Sequence, residues 1–222
     1  MKSQRLCLLI LLACGALFSC AIQTPSDDRI QTARALFDKG VVLWQQDKLD
    51  AAMAVFDDMG HRFNQDDPPG VREQVAKALV NKGAILGRQN KFDAAILVSD
   101  EIERRFGRDD SPGVRGPVVQ ALINKGAFLA RQGKPDAAIA VNDEVDRRFG
   151  QDVSSDVRKQ VASALFNKGM FLGGQGKFSA AVTVFDEVER RFGNDDLPGM
   201  DAVLAAARQA KQRALAESRS KQ

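Results

Sequence analysis

The sequence predicts an all-α chain, an array of four helical hairpins closed by one further helix, and three observations predict it. The triplet Asn-Lys-Gly occurs at 81–83, 124–126 and 167–169, with Asp38-Lys39-Gly40 as a diverged first copy, a step of 43 residues each time. Other columns keep that step without a gap: Leu36/Leu79/Leu122/Leu165, Leu43/Leu86/Leu129/Leu172, Ala52/Ala95/Ala138/Ala181 and Phe63/Phe106/Phe149/Phe192. Within each copy two apolar stripes of helical period flank a turn. In the last copy Val161, Leu165, Gly169 and Leu172 mark the first stripe. Gly173-Gly174-Gln175-Gly176 breaks it, and Phe178, Ala181, Val182, Phe185, Val188 and Phe192 mark the second.

Taken in order, the chain begins with a leader over residues 1–19. Lys2 and Arg5 precede an uncharged apolar run, Leu6 to Phe18, which is shorter than the roughly 20 residues a helix needs to cross a bilayer. Leu17-Phe18-Ser19-Cys20 resembles a lipobox, which makes Cys20 the expected acylated N-terminus. A second match ends at Cys14 behind a core of only seven apolar residues, and plain secretory cleavage after Ala21 is the alternative. All three cysteines, Cys7, Cys14 and Cys20, lie in this segment, so the body has none to pair internally.

Residues 20–27 read as anchor and linker, and the copies as 28–69, 70–112, 113–155 and 156–199. In each, helix A is expected at about 28–46, 70–89, 113–132 and 156–175, followed by a turn and helix B. The connections between copies are loop chemistry: Asp66-Asp67-Pro68-Pro69-Gly70, Asp109-Asp110-Ser111-Pro112-Gly113 and Asp195-Asp196-Leu197-Pro198-Gly199. Gly107, Gly150 and Gly193 suit helix C-termini. Pro135 falls in a first turn, where its missing N–H is harmless, whereas Pro117 is expected to delay the third helix A. Residues 200–218, with Val203, Leu204, Ala207, Ala210, Ala214 and Leu215 amid basic residues, read as the closing helix a repeat array requires. Residues from Ser218 to the end are expected to fray.

Gly40/Gly83/Gly126/Gly169, each followed twelve residues on by Ala52/Ala95/Ala138/Ala181, resemble the tetratricopeptide repeat: a glycine in mid helix A and a small residue in helix B that let the two axes approach closely. The resemblance covers about residues 28 to 196 and implies a right-handed solenoid of helix-turn-helix units. Departures are plain. The family repeat is about 34 residues long; here Lys precedes the glycine, and the aromatic column of helix B reads Phe56, Ser99, Asn142, Phe185.

Composition excludes several functions. With 44% hydrophobic and 27% charged residues, the chain has material for one globular body. Its 32 Lys and Arg against 29 Asp and Glu fall to 30 against 29 once Lys2 and Arg5 leave with the leader, so no cationic excess implies nucleic acid. One histidine, His61, no tyrosine and no body cysteine give neither a metal set nor a His-based nucleophile, and no cofactor is implied. Acidic pairs such as Asp57-Asp58, Asp143-Glu144 and Asp186-Glu187 admit an envelope hydrolase as an alternative. They recur beside Arg62, Arg148 and Arg191, however, the pattern of a charge-paired helix face.

The predicted role is therefore non-catalytic: an adaptor or scaffold for a protein or extended peptide, tethered by lipid at Cys20, in the outer membrane and facing the periplasm. The resemblance places Asn81, Asn124 and Asn167 on the inner face of helix A, where amides can donate to and accept from a peptide backbone. Lys77, Arg88 and Arg131 are the nearby cations expected to attract an acidic or C-terminal group. Two other readings compete: amides that bond between helices and hold repeat spacing, and an array that associates with itself.

Overall fold

The computed structural model describes residues 25–220. Nine helices, and no strand, are present among the described residues: α1 (Pro25–Gln45), α2 (Leu49–Arg62), α3 (Pro69–Arg88), α4 (Phe92–Phe106), α5 (Pro112–Arg131), α6 (Pro135–Phe149), α7 (Ser155–Gly174), α8 (Phe178–Phe192) and α9 (Met200–Ser220). The A helices α1, α3, α5 and α7 fall within three residues of the expected bounds. The predicted leader and Cys20 lie outside the described residues. Three boundaries differ. The first helix starts at Pro25 inside the supposed linker, and α9 holds its hydrogen bonds to Ser220 where fraying was expected. Pro117 does not delay α5, which starts at Pro112 and carries the proline inside it. Gly116, just before the ring, has no Cβ to clash with it, so the usual penalty on the preceding residue is absent.

The hairpin turn explains itself residue by residue. Position 47/90/133/176 carries Asp47 and Asn90 at φ 59° and Gly133 and Gly176 at φ 74°. This left-handed region is open to glycine and tolerated by Asn and Asp. The next amide reaches back to close the helix: Lys48 donates to the Leu43 carbonyl at 3.0 Å, Lys91 to Leu86 at 2.9 Å, Lys134 to Leu129 at 2.9 Å and Lys177 to Leu172 at 3.0 Å.

A helices pack on their own B helix, on the preceding B helix where one is described, and on the next A helix, whereas successive B helices keep their backbones apart and meet only through long side chains such as Arg105, Arg148 and Arg191. The A row is thus the inner, shorter side of a curved array. Its core is the set of columns seen in the sequence, with Ala52, Ala95, Ala138 and Ala181 fully buried and Phe56, Phe106, Phe185 and Phe192 nearly so.

Three ladders of charge repeat along the array. Arg29, Arg72, Arg115 and Arg158, near the start of each A helix, pair with Asp67, Asp109, Asp152 and Asp195 of the loop one hairpin on, at 2.5, 2.6, 2.6 and 2.6 Å. Asp109 and Asp152 also accept the amides of Ser111 and Ser154, which start the next helix. Burial raises the Asp109 carboxyl, but hydrogen bonds from Arg72 and Ser111, with the Arg72 charge, outweigh it and hold the group below the ordinary aspartate range. The same balance, with Ser154 and Arg115, lowers Asp152. A second ladder caps helix B C-termini: Arg105 donates to the carbonyls of Gly60 and Phe63, Arg148 to Gly107 and Arg191 to Gly150. Cations there complement the helix dipole.

The third ladder shows what α9 is. Lys82, Lys125 and Lys168 pair with Asp57, Asp100 and Asp143 of the preceding B helix, and Lys211, one 43-residue step on, pairs with Asp186. Met200, Leu204 and Ala207 continue the buried columns Val157, Val161 and Ala164. The closing helix therefore keeps the register of the A helix of a fifth repeat.

Candidate functional site: a trough on the inner face

An open groove of about 760 Å³ crosses the A row from Phe37 of α1 to Ser163 of α7. Its shape follows from unequal side chains at equivalent positions. At one column α3 carries Glu73 and α7 carries Lys159, but α5 carries Gly116; at the next α7 has Gln160 and α5 has Pro117. The middle helix is thus stripped to a floor between two walls of long side chains. A Cβ on Gly116 would find no neighbour nearer than 4.0 Å, and one on Gly113 would collide with the Glu73 carboxylate. Pro117 supplies no N–H to the Gly113 carbonyl four residues back, which leaves a backbone acceptor on the floor without its helical donor.

The lining is mixed. Phe37, Val80, Ile123 and Pro117 offer apolar surface, and Lys77, Asn81, Gln120, Gln160 and Ser163 offer polar groups. Lys77 is held by Glu73 one turn back. Gln160 Oε1 is buried without a hydrogen-bond donor, and Asn81 makes no hydrogen bond to another described residue.

The six predicted site residues in the body separate into groups. Asn81 and Lys77 line the groove together. Asn124 occupies the same column, but its Oδ1 accepts from Gln120 Nε2 at 3.0 Å within α5, so Gln120 stands at the floor in its place. Asn167 is half-buried on α7 beyond the groove's edge. None of the three amides bonds to a neighbouring helix among the described residues. Arg88 and Arg131 lie seven residues past Asn81 and Asn124, roughly 10 Å along the helix axis, and outside the groove. Arg131 instead sits over the Phe92 ring, 5.5 Å from its centroid. Gly116 and Pro117 were missed because they are departures from the repeat, and Gly113 and Gln160 because they repeat Gly70 and Gln74 and carry no signal of their own.

The acidic pairs have structural partners. Asp57, Asp143 and Asp186 hold the lysine ladder, while Glu144 and Glu187 hold Arg147 and Arg190. Among the described residues no group of three His, Cys, Asp or Glu side chains converges as a metal site.

A family model described as tetratricopeptide repeat matches residues 80–153, the second and third hairpins that carry the trough. Among solved structures the chain is similar to the MamA RS-1 ArsTM double mutant, at 14% identity over 87% of this chain and 97% of that one, with a TM-score of 0.51. A MamA AMB-1 structure aligns over 83% of this chain and 94% of that one, at 15% identity and a TM-score of 0.41. No curated protein matches. At this identity the first likeness bears on the fold alone, and with the family match it agrees with an array of helical hairpins. Residues 80–153 thus match the tetratricopeptide repeat, and the 43-residue step carries the same glycine and alanine columns through all four hairpins. Tetratricopeptide repeats are typically protein-interaction modules, so the match over residues 80–153 suggests an interaction or scaffold role.

Proposed function

We propose that the protein is an adaptor of the bacterial envelope that lays an extended segment of a partner protein in the α3/α5/α7 trough. The observation that carries this reading is the floor of α5, where Gly116 and Pro117 stand in place of the long side chains of the flanking helices. Four A helices at 8–10 Å spacing span roughly 24–30 Å, room for about seven to nine extended residues at ~3.3 Å each. The amides of Asn81 and Gln160 suit a backbone, which needs a donor and an acceptor at each residue. The apolar floor suits the side chains between.

Changing Lys77, Asn81 and Gln120 together to Ala is expected to weaken capture of the partner by several fold or more, each lost hydrogen bond contributing about 0.5–1.5 kcal/mol. Far-UV circular dichroism of the variant should match the parent. Equal capture by parent and variant in a pull-down from solubilised envelope would remove the trough from the account.

The tether belongs to the same proposal. Leu17-Phe18-Ser19-Cys20 makes the Cys20 thiol the acylation point. Ala21 and Ile22 after it supply no aspartate retention signal, which favours the outer membrane, facing the periplasm. No helix among the described residues is long and apolar enough to cross a membrane. Cys20→Ala is expected to abolish labelled-palmitate incorporation and to release the protein from the membrane fraction or leave it uncleaved. Continued labelling of that variant would exclude Cys20 as the anchor.

A further inference from the structure

Among the described residues, the joint between α7 and α9 holds a space that the earlier joints fill. Where α3 meets α5, the Phe128 ring occupies the place a Cβ on Gly87 would take. It also stacks on Phe92, with centroids 6.2 Å apart. At the equivalent positions of the other joints stand Trp44 with Ile85 and Ala130 with Phe171, so every earlier pair includes a large side chain. Where α7 meets α9 the pair is Gly173 with Ala214, small against small.

The result is a cavity of about 230 Å³ lined by Gly173, Ala214, Met170 and Phe178 among others. Apolar cavities of roughly 150 Å³ accept a benzene ring. The opening faces solvent, since Met170 is 45% exposed. A flexible thioether at the mouth can follow an entering ring and contact its edge. Arg213 and Glu217 give the rim one charge of each sign, so no net field selects a charged ligand.

We infer that this cavity is a socket for one aromatic side chain of a protein partner. The ring takes the position that Phe128 holds two repeats earlier. An aromatic anchor brings a large buried area at low conformational cost, the common currency of recognition pockets. The socket lies near the C-terminal end of α7, the trough near the N-terminal ends of the A helices. It can be tested without a natural partner, so its failure would leave the trough untouched.

The test uses the full chain labelled with 13C-methyl methionine and two probes, N-acetyl-phenylalaninamide and N-acetyl-leucinamide. The Met170 methyl resonance is expected to shift saturably with the phenylalanine probe at roughly millimolar concentration, the range open to a ligand of so few atoms. The leucine probe should move it little. Ala214→Phe fills the socket from within: the shift with the phenylalanine probe should vanish while the melting temperature equals or exceeds that of the parent. An unmoved Met170 signal, equal shifts from both probes, a shift retained in Ala214→Phe or a lower melting temperature of that variant would each overturn the inference.

Discussion

Phe56→Ala is expected to lower the free energy of unfolding by about 3–5 kcal/mol, the range for removing a buried aromatic ring. Phe56 has no exposed surface. Its ring fills the space opened by Gly40 and lies 6.4 Å, centroid to centroid, from Phe37. Among the described residues the first hairpin has a repeat on one side only, and in a linear array each repeat is held by its neighbours alone. The loss should therefore appear first at α1 and α2. Trp44, the single tryptophan of the chain, sits on α1 and reports that hairpin directly. In urea its fluorescence should change at a lower concentration than the circular dichroism of the whole chain. A loss below about 1 kcal/mol would mean that the first hairpin collapses around the vacancy, contrary to the close packing described.

The glycine column is expected to split in sign. At Gly169 an added Cβ would stand 2.5 Å from the Phe185 ring, so Gly169→Ala must displace a buried aromatic and should cost about 1–3 kcal/mol. At Gly83 the nearest atom to an added Cβ is a methyl of Val98 at 3.7 Å, an ordinary contact. Gly83→Ala should be stabilising by up to about 1 kcal/mol, the helix penalty of glycine recovered. Gly126 falls between them, with the Asn142 amide at 2.9 Å and the Ala138 carbonyl at 3.5 Å from an added Cβ. Thermal denaturation of the single variants measures both signs. The split follows from the helix B partner: Phe185 needs the missing side chain, whereas Ser99, bonded to the Ala95 carbonyl at 3.2 Å, does not fill the space.

The sequence was legible wherever one environment recurs. In every hairpin the glycine column faces helix B and the alanine column is fully buried, so one packing environment recurs at a 43-residue step, and the hairpins could be laid out from it to within a few residues. The ladders were equally periodic, yet Lys39, Lys82, Lys125 and Lys168 read only as a departure from the family. The Asp partners of the last three lie on the preceding B helix, at no fixed motif. Lys211 keeps that register, but Gln212 stands where glycine was expected, and this hid the repeat register of α9. The trough was not legible, because it is made by side chains that are absent from one helix and present on its neighbours. Arg88 and Arg131 were placed with Asn81 and Asn124 on a shared face, and it is axial distance along the helix that removes them from the groove.

The central claim is that a partner lies along the α5 floor, and a photoreactive amino acid placed there tests it most directly. The probe would stand at Gln120, with Leu97 as the control: it is 68% exposed and lies on the B helix α4, away from the inner face. In the native envelope, irradiation should join a defined protein to the Gln120 position, and mass spectrometry should map the adduct to one extended stretch of it. The Leu97 position should give no such product. Adducts to that same protein from Leu97 and none from Gln120 would place the interaction on the outer face and contradict the account.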